Sequence, residues 1–310
     1  MRIIRDYQSV TDPDRGATAA IGNFDGVHLG HQAVIAQAQA MAPDAPLGVV
    51  TFSPHPRAFF NPGAPAFRLM HSATRAARLG TLGVERLYDL TFTADLAALS
   101  PEAFAKDVLH DGLGLTHIVV GADFRFGKGR AGDATDLRRF GDQFGFGVTV
   151  AQMVDGPAGQ VSSTRIREAL STGHPQDAAA MLGHWHRMDG PIIGGERRGR
   201  ELGFPTANMA IDGLHLPKFG VYAVLVDVQD GPHAGRYHGA ASLGVRPMFD
   251  GDVPNLETFV FDFSGDLYGA TLSVALVAFL RPEATFDGLE ALIAQMDADC
   301  DQARRLLEAL

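Results

Sequence analysis

The sequence predicts two domains, an α/β domain with a parallel sheet and then a small antiparallel β-barrel domain with a C-terminal helix. Up to about residue 184, short apolar runs alternate with helical patterns, which is typical of a parallel sheet covered by helices. Beyond residue 185 the alternation stops, and strand patterns follow one another closely with polar turns between them. We therefore predict domains at residues 1–184 and 185–310.

Apolar runs after an N-terminal strand candidate, residues 1–10, predict the sheet of the first domain. They cover residues 17–24, 47–52, 87–92, 118–124 and 148–154. Helical patterns lie between them, at residues 32–41, 72–79, 101–109 and 133–140. Ligands of such sheets bind beyond the carboxyl ends of the strands, so we expect a site in the loops that follow these runs.

Strand patterns also predict the elements of the second domain. They cover residues 221–228, 238–243, 256–263 and 272–280, with polar turns near residues 230–232, 250–252 and 264–266. The last segment, residues 286–310, has apolar residues at helical spacing and predicts a helix packed on the barrel.

Composition is that of an ordinary folded protein and narrows the class of ligand. The 310 residues are 46% hydrophobic and 20% charged, which fits two domains with their own cores. A formal net charge of −10 argues against a nucleic-acid or membrane partner, so clustered arginines are expected to mark local anion pockets. The single cysteine, Cys300, excludes an intramolecular disulfide, and no signal peptide or membrane span is evident. We expect a cytoplasmic protein.

The segment after the apolar run at residue 17 has the composition of a phosphate-binding loop. Its glycines, acid and histidines follow in the order Gly22, Asn23, Phe24, Asp25, Gly26, Val27, His28, Leu29, Gly30 and His31. A helix is predicted to begin near His28, where free N–H groups and the positive end of the dipole attract phosphate. His28 and His31 would share one face of its first turn. An ordinary pair of helix-cap histidines is the alternative.

The same segment suits nucleotidyl transfer. Charge that builds on the phosphoryl oxygens and on the leaving pyrophosphate must be stabilised by positioned donors, and two imidazoles beside a helix N-terminus supply them. Gly30 would let the nucleotide approach the backbone.

These residues resemble the adenylyltransferase module of the bacterial bifunctional riboflavin kinase/FAD synthetases, and the resemblance covers nearly the whole chain. It implies a Rossmann-like nucleotidyltransferase domain in which the segment from Gly22 to His31 binds ATP. It also implies that His28 and His31 are catalytic. The loop of Pro54, His55, Pro56 and Arg57 resembles part of the flavin side of that pocket, although its sequence alone also fits a plain surface turn.

Two further segments of the first domain carry anion-binding chemistry. Asp123 stands among aromatic residues and cations directly after a predicted strand, where the family places nucleotide contacts. The run from Ser162 to Arg167 offers hydroxyls at a helix start, which an ordinary capped helix would also explain. It matches the superfamily signature Ser-Ser-Thr-x-Ile-Arg, which implies that Ser163, Thr164 and Arg167 join the same ATP site.

A glycine- and arginine-rich run opens the second domain and resembles the riboflavin kinase signature. The resemblance assigns ATP binding to Gly199, Arg200, Gly203, Pro205, Thr206 and Asn208. Thr206 and Asn208 alternate on an extended segment, so both side-chain oxygens point one way and suit Mg²⁺. A polar strand edge is the alternative. The family's metal ligands correspond to Thr206 and Asn208.

Glu257 is an acid on an otherwise aromatic strand face. The alternating pattern places Glu257 with Phe259 and Phe261, where a carboxylate is costly unless it is used or paired. The resemblance makes Glu257 the general base that accepts the proton of the substrate alcohol. A solvated glutamate at a strand end is the alternative.

The predicted function is two-step synthesis of a flavin cofactor. Riboflavin and ATP would give FMN at the barrel, and FMN and ATP would give FAD and pyrophosphate at the first domain, with Mg²⁺ serving both steps. Relatives commonly carry Asn at the position of Ser242 and Thr at that of Met248, which bears on flavin or nucleotide affinity in the kinase half. Two alternatives remain: a single-activity FAD synthetase with a weakened kinase, and a flavin-binding regulator without turnover.

Overall fold

Two compact units make up the chain. The computed structural model describes residues 1–152, 155–156, 159–193, 204–248 and 251–310. One unit consists of residues 1–64 and 72–161, and the other of residues 65–71 and 162–310. The second unit therefore includes a short segment that the chain passes through long before it reaches the barrel.

Strands and helices alternate through the first unit, as predicted. The strands are β1 (Arg2–Ile4), β2 (Thr18–Ile21), β3 (Leu47–Ser53), β4 (Arg86–Thr91), β5 (His117–Gly121), β6 (Arg125–Phe126), β7 (Gly132–Asp133), β8 (Gly147–Ala151), β9 (Asp155–Gly156) and β10 (Gly159–Gln160). The helices are α1 (Leu29–Met41), α2 (Pro56–Phe60), α3 (Ser72–Thr81), α4 (Ala94–Ala98), α5 (Pro101–Ala103) and α6 (Ala134–Phe144). A stretch of π-type helix, Phe104–Gly112, continues α5.

A six-stranded parallel sheet organises the first unit, with the spatial order β1-β4-β3-β2-β5-β8. Strand β2 is fully buried and rich in small residues, which suits the centre of a sheet covered by helices. After β2 the chain adds β3 and β4 on one side and later β5 and β8 on the other. The order reverses at β2, and the crevice at such a reversal is where ligands of these sheets bind.

The predicted site loops follow the three central strands. The segment beginning at Gly22 follows β2, the segment beginning at Pro54 follows β3, and Asp123 follows β5. Because β3, β2 and β5 are parallel neighbours, these loops leave the sheet at the same edge. The predicted α/β class is thus confirmed.

A closed antiparallel barrel forms the body of the second unit, with the order β11-β12-β15-β14-β13-β16. Its strands are β11 (Arg187–Ile193), β12 (Thr206–Ala210), β13 (Gly220–Val228), β14 (Gly235–Met248), β15 (Gly251–Val260) and β16 (Thr271–Arg281). The barrel interior is filled by buried apolar residues such as Met209, Val224, Leu243, Leu256 and Leu272. Closure leaves the sheet without an open edge.

The C-terminal helix, Leu289–Leu307, packs on the outside of the barrel, as predicted. Ala303 and Leu307 of this helix are buried in a cluster with Ala223 and Val277 of the barrel. Strand β11 was missed by the sequence pattern because Gly190 and Pro191 interrupt its apolar alternation.

Two helices that precede the barrel in sequence belong to the same unit as the barrel. They are α7 (Ser163–Thr172) and α8 (Pro175–Leu182). The Lys218 N–H donates to the Leu170 carbonyl at 2.9 Å, and Gly173 at the end of α7 lies against Lys218 and Phe279. The compact units therefore change at residues 161 and 162, while the domain boundary at residues 184 and 185 stays a prediction.

Among the residues that the structure describes, no helix is both long enough and apolar enough to cross a bilayer.

Candidate active sites

His28 is the N-cap residue of α1. Its Nδ1 accepts a hydrogen bond from the His31 N–H at 3.3 Å, so the side chain caps one of the helix's open donors. This bond requires an unprotonated Nδ1, which puts the proton of neutral His28 on Nε2. Nδ1 of His28 therefore serves as a helix cap, as the alternative interpretation expected. Nε2 carries the proton and can donate a hydrogen bond.

The two histidines lie face to face, as their spacing predicted. The ring centroids of His28 and His31 are 3.6 Å apart with an angle of 16° between the planes, and Phe24 packs at 5.0 Å from His31. Gly30 makes this arrangement possible. A Cβ at Gly30 would lie 3.1 Å from Cε1 of His28 and would press on the capping ring.

His31 is held in its neutral form. Burial of the ring lowers the pKa of His31 well below its ordinary value, and the adjacent His28 lowers it further. The Nδ1 of His31 is buried and has no hydrogen-bond partner among the described residues. The lowered pKa keeps the His31 ring neutral near neutral pH, and a neutral imidazole at a helix N-terminus can donate a hydrogen bond to a phosphate oxygen.

The loop before α1 carries uncommon backbone angles. Phe24 and Val27 have φ values of 50° and 43°, in the left-handed region that a β-branched residue such as Val rarely enters. Both side chains are buried, with 1% and 0% exposure. Such angles persist only where the surroundings fix them, and they are typical of ligand-binding loops.

A buried ion pair, which sequence reasoning missed, supports this loop. Arg75 of α3 donates to the Asn23 carbonyl at 3.0 Å and to the Asp89 carboxylate of β4 at 2.8 Å. Thr51 donates to the same carbonyl at 3.2 Å, and Ser53 donates to Asp89 at 2.8 Å. The network therefore connects the loop after β2 with the end of β3, where the predicted flavin loop begins.

The predicted flavin loop forms the start of α2. The Ser53–Pro54 peptide bond is cis, and His55 caps the helix by accepting from the Arg57 N–H at 3.0 Å. Beyond it, Phe59 and Phe60 pack edge-on against Phe92, with centroid distances of 5.2 and 5.9 Å. Phe60 is 63% exposed, so this loop ends in an accessible aromatic surface.

Asp123 lies exposed in a tight turn after β5, where the Phe124 N–H donates to the Gly121 carbonyl. Phe124 and Phe126 of this segment stack on each other with centroids 5.4 Å apart, and Phe126 belongs to the core. Arg125 pairs with Asp133 at 3.3 Å. At least part of this aromatic and cationic composition therefore serves the local fold.

The second helix start, at α7, is built as predicted but lies in the second unit. Ser162 caps α7 by accepting from the Arg165 N–H at 3.3 Å. Arg167 donates from Nε to the Phe67 carbonyl at 2.6 Å and lies over the Phe67 ring. Ser163 is half-buried and Thr164 is exposed on the first turn. The roles of Ser163, Thr164 and Arg167 in ATP binding remain predictions.

The barrel brings the predicted kinase residues onto neighbouring strands. Asn208 of β12 lies directly opposite Glu257 of β15, and Thr206 lies opposite Phe259. On the other side of β15, Glu257 pairs with Ser242 of β14. A row of polar side chains thus crosses three strands, and Ser242, one of the two departures from the family, is next to Glu257.

A polar residue that sequence reasoning passed over completes this row. Asn255, two residues before Glu257, is 6% exposed. Its Nδ2 donates to Asn208 Oδ1 at 3.1 Å and to Glu257 Oε1 at 3.1 Å. The signal in the sequence is an amide at position i−2 of the acid, because alternate residues of a strand share a face.

The donor set of this row is oxygen-rich. No group of three or more His, Cys, Asp or Glu side chains among the described residues could hold a metal ion. Hydroxyl, amide and carboxylate oxygens, as on Thr206, Asn208 and Glu257, are the ligands that Mg²⁺ prefers, and they fit the cation that accompanies ATP. The predicted ATP residues Gly199, Arg200 and Gly203 lie outside the described residues, while Pro205 is exposed just before β12.

Comparison with known families divides the chain in two. The family model described as FAD synthetase matches residues 10–165, and the model described as riboflavin kinase matches residues 182–307. Together they cover every predicted site residue except Arg167.

Curated relatives resemble the chain over its full length. A bifunctional riboflavin kinase/FMN adenylyltransferase of Pseudomonas fluorescens is 41% identical over 99% of this chain and 98% of the relative. A protein of the same description from Listeria monocytogenes is 37% identical over 96% of this chain and 94% of the relative. The one from Escherichia coli K12 is 34% identical over 96% of both.

A solved structure shares the whole architecture. The crystal structure of a Streptococcus pneumoniae protein described as a macrolide-efflux protein superposes with a TM-score of 0.86, at 31% identity and 98% coverage of both chains. Its description differs from that of the curated relatives, so it contributes evidence on fold. The two family models and the full-length relatives show that this chain belongs to the bifunctional riboflavin kinase/FMN adenylyltransferase family.

Proposed function

We propose that the chain makes FAD from riboflavin in two ATP-dependent steps. Riboflavin is phosphorylated to FMN at the barrel, and FMN is adenylylated to FAD at the sheet, with release of pyrophosphate. The observation that carries this proposal is that each compact unit has its own set of phosphate-directed groups: the stacked His28 and His31 in one, and Asn208 facing Glu257 in the other.

In the adenylyl-transfer step, donors at the start of α1 act on the phosphates of ATP. His28, whose Nδ1 caps the helix and whose Nε2 is left to donate, and neutral His31 stabilise the charge that develops on the phosphoryl oxygens and on pyrophosphate. The backbone N–H groups and dipole of α1 add to this field. The aromatic surface at Phe59 and Phe60, next to the loop of Pro54 to Arg57, offers a flat apolar contact for the flavin ring.

In the kinase step, Glu257 accepts the proton of the terminal hydroxyl of the ribityl chain as that oxygen attacks the γ-phosphorus of ATP. The carboxylate needs only to lie within hydrogen-bond reach of this hydroxyl. Thr206 and Asn208 would hold Mg²⁺, which when bound neutralises charge on the ATP phosphates. The chain's own part is to present these oxygens on one strand face opposite the base.

Both reactions are proposed to take place in the cytoplasm. The boundary between the activities is proposed at residues 184 and 185, with the first activity before it and the second after it. The alternative function is that of an enzyme whose kinase is slower than its adenylyltransferase. It is favoured by Ser242, which departs from the family and pairs with Glu257 across the strands.

A single incubation tests the proposal. The full chain is mixed with riboflavin, ATP and Mg²⁺, and FMN, FAD, ADP and pyrophosphate are resolved by chromatography over time. We expect FMN to appear first and FAD to follow. FAD formed only from supplied FMN would identify a single-activity synthetase, and flavin binding without any product would identify a regulator.

A further inference from the structure

Asn255 lies where three side chains of the kinase face meet. Along β15 it precedes Glu257 by two residues, so the two share a face, and across to β12 it is the diagonal neighbour of Asn208. Its amide nitrogen lies 3.1 Å from Asn208 Oδ1 and 3.1 Å from Glu257 Oε1. One amide thus contacts both the proposed base and a proposed metal ligand.

The chemistry of Glu257 fixes which way the Asn255 amide faces. A carboxylate can only accept hydrogen bonds, so the group turned toward it must be the NH₂ of Asn255. The two N–H donors of this NH₂ are used on two acceptors. The Oδ1 of Asn255 is buried without a hydrogen-bond partner among the described residues, which is an unfavourable arrangement for a group that serves only the fold.

The same bond orients Asn208. Because Asn255 presents a donor, the atom of Asn208 that faces it must be the oxygen, and the Asn208 NH₂ is turned toward the Thr206 carbonyl at 3.4 Å. A carbonyl oxygen has two lone pairs, and the bond from Asn255 takes one. Asn255 therefore decides that oxygen rather than nitrogen occupies the side of the Asn208 amide toward Asn255.

We propose that Asn255 is a positioning residue of the riboflavin kinase site. It holds one oxygen of Glu257 and thereby sets the direction of the carboxylate, and it sets the amide orientation of Asn208. The base and the metal ligand are thus fixed relative to each other before substrates bind, so that no reorganisation is needed during phosphoryl transfer. This inference rests on the proposed kinase function.

Steady-state kinetics of the full chain tests the inference. Asn255→Leu keeps similar volume and removes both donors, and we expect its kinase kcat to fall about 10- to 100-fold, as is usual for residues that orient metal ligands. The KM for riboflavin should change less than about threefold, because a residue that acts through Glu257 does not itself bind the flavin. Adenylylation of supplied FMN by the same preparation should stay at the wild-type rate, because its proposed donors His28 and His31 lie in the first unit.

A matched control and a second variant complete the set. Thr258, the residue after Glu257, is fully buried on the opposite face with a hydroxyl that lacks a partner among the described residues, so Thr258→Val should leave the kinase within about twofold of wild type. Asn255→Asp keeps the shape of the side chain without the NH₂. It should lose kinase turnover like Asn255→Leu, and it serves if the leucine variant does not fold.

A double-mutant cycle separates positioning from general support of the fold. In a Glu257→Gln background, Asn255→Leu should lower kcat by a smaller factor than in the wild type, because Glu257, one of the two groups through which it acts, is already disabled while its effect on Asn208 remains. Wild-type kcat in both Asn255 variants, or an equal loss in the two backgrounds, would overturn the inference. Full turnover of Glu257→Gln alone would instead reject Glu257 as the base, and with it any action of Asn255 through that base.

Discussion

The two candidate sites are held in place by different means. In the first unit, the reactive side chains lie on a loop and a first helical turn, and contacts from α3, β3 and β4 hold that loop in its uncommon backbone conformation. In the second, they lie on neighbouring strands, where the backbone ladder decides which side chains face each other. A loop site depends on distant residues, whereas a ladder site depends mainly on its own strands.

The largest expected effect is a loss of kinase turnover on substitution of Glu257, and it distinguishes the two sites. Glu257→Gln keeps size and hydrogen bonding but loses basicity, so kinase turnover should fall by roughly 10²- to 10⁴-fold. FMN adenylylation should be unchanged, because its proposed donors His28 and His31 lie in the first unit. Chromatographic assay of both reactions measures the two rates. Glu290→Gln, at an exposed position of the C-terminal helix, is the control. Weak riboflavin binding with normal turnover at saturation would make Glu257 a binding group.

The reciprocal test uses His28. Its replacement by Ala removes one donor and one helix cap, and FAD formation should fall by roughly 10²- to 10³-fold while FMN formation continues. The assay is FAD production from supplied FMN, with the exposed His174→Ala as the matched control. Normal FAD synthesis by a variant that lacks both His28 and His31 would remove the histidines from the mechanism.

Arg75 tests whether the loop site depends on distant support. Arg75→Met leaves Asp89 buried without its closest cation, which should destabilise the first unit by about 3 kcal/mol, at the low end for such pairs because Arg5 lies 3.8 Å from Asp89. Thermal unfolding measures the change, and FAD synthesis should fall with it.

The matched variant Arg75→Lys keeps the charge but lacks the fork that reaches Asn23, Ser53 and Asp89 together. It should retain more stability than Arg75→Met and still lose part of the FAD synthesis. Wild-type stability and activity in both variants would show that the loop holds its shape without this network.

The smallest effect concerns the acid stability of the second unit. Burial lowers the pKa of His186 to about 4. As the pH falls below about 6.5, His186 therefore becomes protonated in the unfolded chain but stays neutral in the folded unit. Stability is complete above pH 6.5 and should fall by roughly 2 kcal/mol between pH 6.5 and pH 5.

The variant His186→Gln should remove most of that pH dependence, since it can still donate to the Leu69 carbonyl and has no proton to gain. Fluorescence of Trp185, the single tryptophan, follows unfolding of this unit. An unchanged pH dependence would assign the acid sensitivity to other groups.

Sequence reasoning predicted the local features of the two sites but not the contacts between distant segments. Alternation along a strand correctly placed Thr206 and Asn208 on one face, and helical spacing correctly stacked His28 on His31, because both rules act within a few residues. The facing of Asn208 and Glu257 depends on the register between two strands that bring together residues 49 positions apart in sequence, which no local pattern encodes. The support of Asn23 by Arg75 likewise depends on where α3 packs.

The same limit explains the helices before the barrel. The Ala-rich sequence of α8 is typical of a helix, but a helical pattern does not say which core covers its apolar face. The helix is placed in the second unit by its contacts with β16 of the barrel, more than ninety residues away in sequence.

The segment at residues 65–71 affects the order in which the second unit is assembled during protein synthesis. Leu69 is completely buried there and accepts from His186, and the Arg68 carbonyl accepts from the His215 N–H at 2.7 Å. At the usual pace of the ribosome, these partners emerge roughly ten seconds or more after the segment itself. Stalled nascent chains that end near residue 190 should be cut by protease within residues 65–71, whereas released full-length chains should resist, so the barrel unit is completed only when nearly the whole protein has been made.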